Sequence, residues 1–438
     1  MTQSPTMRRP VAARPTLLTP AFLAVTLASL AYFTGDGVLI PAVPRYVDGP
    51  LGAGNVAVGL VVGTFSVSAF FLRPWAGSLG DRWGRRPLML VGAGVFAASV
   101  LGYPLTSSPT ELAALRLITG AGEAFFFVGA VTAITDLAPA QRRGEAMSLA
   151  SLALYAGIGI GPLLGEAAIQ RFGFGGAWIL AAGGGLSALV MALRVPDTRP
   201  RITRGEALGS GQRHRLVHPA GLLPGLVMLT SILGMAGFLT FVPLYALDVG
   251  LDGSRLVLLV FAGIVVGIRS LGARIPDRLG AAATTRIALA LSAVGLSIVG
   301  AWRTPAGLVT GTVVFAIGIA LFTPAVMALA VEDVAPRERG AVIGTTSAFL
   351  DLAFGLGPAT LGFVAATIGR PATFLAGAGM AAAGLLLVTS TRLGRGDLAS
   401  SGHDDRPDRG GVQAAAASGT RRTAPPPDLA SSGHDHRT

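Results

Sequence analysis

Gly77-Ser-Leu-Gly-Asp81-Arg82-Trp-Gly84-Arg85-Arg86 ends one long apolar run and begins the next. Its glycines allow a tight turn, and Asp81 can cap a helix end or pair with a neighbouring arginine. The surrounding stretch returns once. Arg73, Asp81, Arg82 and Gly84 have counterparts in Arg269, Asp277, Arg278 and Gly280, each 196 residues on, with Ala281 where Arg85 would stand. Gly161-Pro162 returns as Gly357-Pro358 at the same shift, and Asp136-Leu-Ala-Pro returns as Asp333-Val-Ala-Pro. Pro44 and Tyr46 match Pro243 and Tyr245 at a slightly different shift. The chain is therefore two copies of one unit joined head to tail.

Composition says what surrounds those copies. Of 438 residues, 51% are hydrophobic and 13% charged, with a mean hydropathy of +0.63. Soluble domains carry roughly 25% charged residues. Half of that cannot cover a water-facing surface, so a soluble globular enzyme is excluded and the apolar excess must face lipid. There is no cysteine, hence no disulfide frame, thiolate metal site or cysteine nucleophile. The 61 glycines suit close helix packing in a membrane.

Twelve apolar runs of membrane-crossing length fall between residues 17 and 392. The predicted organisation is a polar N-terminus (1–16), a six-helix bundle (17–194), a linker (195–220), a second six-helix bundle (221–392) and a low-complexity, disordered tail (393–438). The fold class is all-α and membrane-embedded. Two six-span copies share one orientation, a parallel repeat that places a cavity at the midplane between them.

The connections alternate in arginine content. Arg8, Arg9 and Arg14, the 82–86 turn, Arg142 and Arg143, the 199–215 cluster, Arg278, Arg337 and the tail lie on one side. Arg45, Arg171, Arg255, Arg303 and Arg370 lie on the other. Positive loops stay in the cytoplasm, which places both termini there and the chain in the inner membrane. The net charge of +11 is then topological, with anionic lipid heads as its partner, and nucleic-acid binding is not expected. His214 and His218 in the linker read as a solvated loop. The repeated Leu-Ala-Ser-Ser-Gly-His-Asp of the tail reads as a tolerated duplication.

The 77–86 stretch resembles the G-x-L-x-D-R-x-G-R-R signature between helices two and three of the major facilitator superfamily. The resemblance covers about residues 17–392. It implies a twelve-helix secondary transporter in which this turn gates the cytoplasmic side, through Gly77, Asp81, Arg82, Gly84, Arg85 and Arg86 and the weaker second copy, Asp277 and Arg278. Arg116-Leu-Ile-Thr-Gly120-Ala-Gly122-Glu123-Ala124 resembles the family motif R-x-x-x-G-x-G-x-A, tied to proton transfer. Gly157, Gly161, Pro162 and Gly165 resemble the core of the motif of drug/proton antiporters, with Glu166 where that family has glycine.

Several residues stand out on physical grounds. Arg116, Gly120, Glu123 and Phe127 share one helix face. Charge facing lipid costs roughly 2.5–3.5 kcal/mol or more, so that face should line a cavity. Glu123 is the first candidate for a protonatable carboxylate. Asp36 in Gly35-Asp36-Gly37 is the second, placed about 9 Å below the outer edge if the first span ends near residue 42. An Asp36–Arg116 pair is geometrically allowed. Tyr155 and its repeat partner Asp351 complete the candidate pathway, and Glu166 lies near the outer end in reach of water.

The sequence holds no phosphate-binding loop, no H-E-x-x-H and no nucleophile elbow on a strand. The expectation is a transporter with no catalytic residue, no metal and no cofactor beyond the proton gradient. Its partners are a small-molecule substrate, protons and the bilayer, with no obligate protein partner. Proton-coupled efflux of a small, partly hydrophobic drug or metabolite is the first reading. A proton-coupled importer of a sugar or organic acid, and a non-transporting sensor of the same fold, are the alternatives.

Overall fold

The computed structural model describes residues 17–139, 142–198, 218–271, 279–335 and 338–391. The terminal segments, most of the linker with His214, and Asp277 and Arg278 of the second-copy turn lie outside the described residues.

Eleven helical stretches fill the described chain, with no strand among them. In the first half they are α1 (Pro20–Asp48), α2 (Gly54–Trp83), α3 (Arg85–Leu101), α4 (Pro109–Leu137) and α5 (Arg143–Ala192). In the second they are α6 (Leu222–Asp248), α7 (Arg255–Leu271), α8 (Ala281–Ala301), α9 (Pro305–Val331), α10 (Arg339–Thr367) and α11 (Arg370–Ser390). Ten of the eleven are long and apolar enough to cross a membrane. The exception, α7, has 17 residues and borders residues outside the described set.

At 50 residues α5 is far too long for one crossing. It is broken at Gly173, where φ is 68° and ψ −170°. The repeat explains the break. Gly173 lies 196 residues before Gly369, which separates α10 from α11 with φ 110°. Gly84 (φ 101°) and Gly280 (φ 81°), at the same shift, end α2 and open α8. Side chains rarely tolerate this left-handed region, so the duplicated glycines mark duplicated corners. The two arms of α5 thus correspond to α10 and α11, and counting them separately gives twelve segments.

Helix starts repeat too. Ser108 caps α4 and Thr304 caps α9, each accepting from an amide three residues on, with Pro109 and Pro305 at the first helical position. Glu111 also accepts from the amide of Ser107 (2.7 Å), the residue before the cap, and so satisfies a further amide at this helix start.

Packing within the first half rests on small residues. Gly157, Gly161 and Gly165 of α5 face α1, where a Cβ on Gly165 would lie 2.7 Å from the carbonyl oxygen of Val38. Gly37 of α1 meets the Cα of Gly161 from the other side. Between the halves, α2 meets α10 in the same manner. A Cβ on Gly59 would collide with the carbonyl of Pro358, and Gly63 and Gly362 sit against Gly355 and Gly59. Side-chain-free contact of this kind lets two backbones approach closely.

Candidate functional site

A chamber of about 390 Å³ lies between the two halves. That is the size of a small-molecule site. Its wall is mostly apolar, and its rings are phenylalanines: Phe33, Phe65, Phe127, Phe261 and Phe354. The phenylalanines become visible only when five different helices are brought together.

Six charged residues line the same chamber: Asp36, Arg73, Arg116, Glu123, Arg269 and Asp351. Arg73 of α2 joins the halves. Its Nη1 donates to both carboxylate oxygens of Asp351 on α10, and its Nη2 donates to Oε1 of Glu123 on α4 at 3.0 Å. The guanidinium also lies 4.8 Å from the centre of the Phe127 ring. One arginine therefore holds an acid from each half. The second carboxylate oxygen of Glu123, Oε2, is buried without a partner.

Arg116 is buried, with Nε and Nη1 lacking hydrogen-bond partners and its guanidinium 4.6 Å from the Phe65 ring centre. Asp36 faces the same chamber and feels the Arg116 charge, with no direct ion pair between them among the described residues. Because α1 runs to Asp48, Asp36 sits twelve residues, about 18 Å, from that helix end. It is a mid-depth residue, and the shallower placement based on a helix end near residue 42 is corrected. Tyr155 lines the chamber too, and its ring carries the guanidinium of Arg269 at 3.9 Å.

Glu166 lies elsewhere and is not hydrated. It is fully buried at the arginine-poor end of the first arm of α5, just before the Gly173 break. There Oε2 accepts from Nη1 of Arg45, and Oε1 accepts from both the amide (3.0 Å) and the hydroxyl of Ser254, the residue before α7. Since Ser254 belongs to the second half, Glu166 stitches the halves together. A second stitch lies on the same side. Arg370 donates through Nε to Asn55 (3.0 Å), through Nη1 to Asp248 (2.8 Å) and through Nη2 to Asp48 (2.8 Å). Asp48 and Asp248 end α1 and α6, the matching helices of the two copies.

The 77–86 turn forms a different structure. Arg85 is buried at the start of α3, where it donates to Asp81 (2.7 Å) and Asp136 (3.1 Å). It thereby ties α2, α3 and α4 to one another, and Gly84 makes the corner. Arg82 is exposed and Gly77 has open space around it. The hydrogen bonds and ion pairs of this turn stay within the first half among the described residues. The two cross-half stitches and the α2–α10 glycine contact thus join the halves at the arginine-poor face, and Arg73 joins them again at the chamber. Gly157, Gly161 and Gly165 serve the α1–α5 seam, while Pro162 reaches the chamber wall. Among the described residues no group of three or more histidines and acids is placed to hold a metal ion.

The profile of the Major Facilitator Superfamily matches residues 25–302 and 271–414. The chain belongs to that superfamily. Among relatives of this major facilitator protein is an MFS-type transporter of Pseudomonas aeruginosa strain LESB58, 29% identical over 80% of this chain and 88% of its own length. YhhS, an MFS-type transporter of Escherichia coli O157:H7, is 27% identical over 83% of this chain and 91% of its own. Among solved structures, the xylose transporter XylE from Escherichia coli superposes with a TM-score of 0.66 at 17% identity, covering 85% of this chain and 97% of that one. The chain is therefore a multi-pass membrane transporter of the major facilitator fold and not an enzyme.

Proposed function

We propose that this transporter exports a small, partly hydrophobic compound in exchange for protons, by alternating access about the central chamber. The observation that carries the reading is the three-way tie in which Arg73 holds Glu123 of one half and Asp351 of the other. A proton on either carboxylate removes one of the charges that Arg73 bridges. A proton on Asp351 leaves a tie within the first half, whereas a proton on Glu123 leaves Arg73 and Asp351 alone to span the halves, and either change shifts the balance between the two open states. Asp36 and Arg116 on the same wall give the proton a route past the substrate. The rings of the chamber suit an apolar body.

Exchange is favoured over import by the glycine and proline pattern of α5, which resembles that of antiporters. In this reading the arginine-rich face and both termini are cytoplasmic, the membrane is the inner one, and the 77–86 turn is the cytoplasmic gate. A single chain, with both halves in it, suffices. The described state, with its halves joined at the arginine-poor face, is then closed to the outside.

The test is proton movement in inverted vesicles carrying the whole protein. Glu123→Gln should abolish substrate-dependent proton flux. Wild-type flux in that variant would overturn the assignment of Glu123, and an imposed proton gradient that drives substrate accumulation in whole cells would overturn export.

A further inference from the structure

The internal repeat makes a prediction about charge that the chamber does not obey. Arg73 and Arg269 are repeat partners, 196 residues apart, and both reach the chamber. Arg73 crosses to the other half and finds Asp351. By the symmetry of the fold Arg269 should cross to the residue matching Asp351, which is Tyr155, and it does. The geometry is thus kept while the chemistry is not. The acid that neutralises Arg73 has a phenol ring in its place before Arg269. The second acid on Arg73, Glu123, has Ile319 as its partner at the same shift, and Ile319 also lines the chamber.

Arg269 therefore keeps its post without either counter-charge. Its Nε is buried and makes no hydrogen bond. No carboxylate pairs with it among the described residues, and the charge acting on Asp351 is that of Arg73. The remaining arginine, Arg116, has Asp36 facing it. The chamber that Arg269 lines is walled largely by apolar groups, among them Phe261, Val265 and Val266 on its own helix and Ile158 on α5. A cation held in a low-dielectric wall attracts an anion strongly, and a guanidinium with free donors matches a planar oxyanion.

We propose that Arg269 is the binding site for the anionic group of the substrate, so that the transported class is a small organic monoanion with an apolar body. The carboxylate or sulfonate accepts from the guanidinium, whose other face stays on the Tyr155 ring. The apolar body lies along the phenylalanines. Binding in this position supplies from outside the charge that the second copy of the repeat lacks. This rests on the chamber being the transport site, and it is independent of transport direction.

The test uses one body with three charges: 2-naphthoate, 2-naphthamide and 2-naphthylmethylammonium. Binding of each to the full chain in nanodiscs is measured without any proton gradient. The wild type should prefer naphthoate to naphthamide by at least tenfold, and the ammonium should bind most weakly. Arg269→Gln should bring the naphthoate-to-naphthamide ratio to about one while leaving naphthamide affinity within about twofold, and Arg269→Lys should restore a clear preference. The unchanged naphthamide affinity serves as the control for folding. Failure of the wild type to bind any of the three overturns the proposal. So does equal binding of naphthoate and naphthamide, or a preference that survives Arg269→Gln and disappears in Arg116→Gln. Any of these results, with proton flux still dependent on Glu123, leaves the transport reading standing and removes only the anion.

Discussion

Arg73 and Asp351 stand 278 positions apart in the chain, yet the guanidinium of one grips both oxygens of the other across the interface of the two halves. Both side chains are largely withdrawn from solvent, at 26% and 13% exposure. Removing Asp351 leaves Arg73 paired with Glu123 inside the first half and takes away the charge that binds it to the second, so the loss falls on whichever state contains the pair. Asp351→Asn should therefore depopulate the described state. The chain has no native cysteine, so spin labels at Leu105→Cys and Asp252→Cys report the arginine-poor face cleanly. The expected outcome is a longer label separation in Asp351→Asn; an unchanged distance distribution would sink the tie as a determinant of state.

The stitches at the arginine-poor face make a second prediction. Arg370 is shared among Asp48, Asp248 and Asn55, so Arg370→Gln removes three contacts at once. A thiol at Leu39→Cys, buried on the chamber wall, should then react several-fold faster with an impermeant maleimide applied from that face. Equal rates with and without Arg370 would mean that the glycine contact alone seals the face.

Glu166 gives a stability prediction with an unusual sign structure. Glu166→Gln leaves Arg45 without its partner carboxylate and should lower the thermal midpoint measurably. Arg45→Gln combined with Glu166→Gln removes both charges and should recover part of the loss, because a neutral pair carries less desolvation cost. Two single losses that simply add in the double variant would show that the residues do not act as a pair.

The 77–86 turn separates two arginines that look equivalent in sequence. Arg85 is buried and bonded to Asp81 and Asp136, whereas Arg82 is exposed. Arg85→Gln should destabilise the first half by about 1–3 kcal/mol, as loss of charge-assisted hydrogen bonds does. Arg82→Gln should stay within about 0.5 kcal/mol in thermal unfolding. Similar midpoints for the two variants would contradict the placement.

Legibility in the sequence followed the range of the interaction. Gly84 was readable as a turn because turn residues act locally, and it sits where α2 ends and α3 begins, whereas the end of α1 was placed six residues too early. The chamber acids were readable because an isolated charge in an apolar run has few places to go. Their partners were not. Arg45 and Arg370 were counted as the sparse arginines of one face, and nothing in the sequence near them names Glu166 or Asp48. Arg73 was visible as a repeat element, but its reach to Asp351 depends on how the halves meet. Glu166 was misjudged for the same reason, since the group that covers it, Ser254, comes 88 residues later.

The meeting of α2 and α10 has a mechanical implication. Gly59 and Gly63 lie against Gly355, Pro358 and Gly362 with main chain close to main chain. Parting the glycine positions themselves demands no rotamer change, since they carry no side chain. The seam works as a bearing, so the barrier to each stroke is set by the few polar clasps at its rim and its centre, and the tempo of the cycle is adjustable by editing those clasps one at a time.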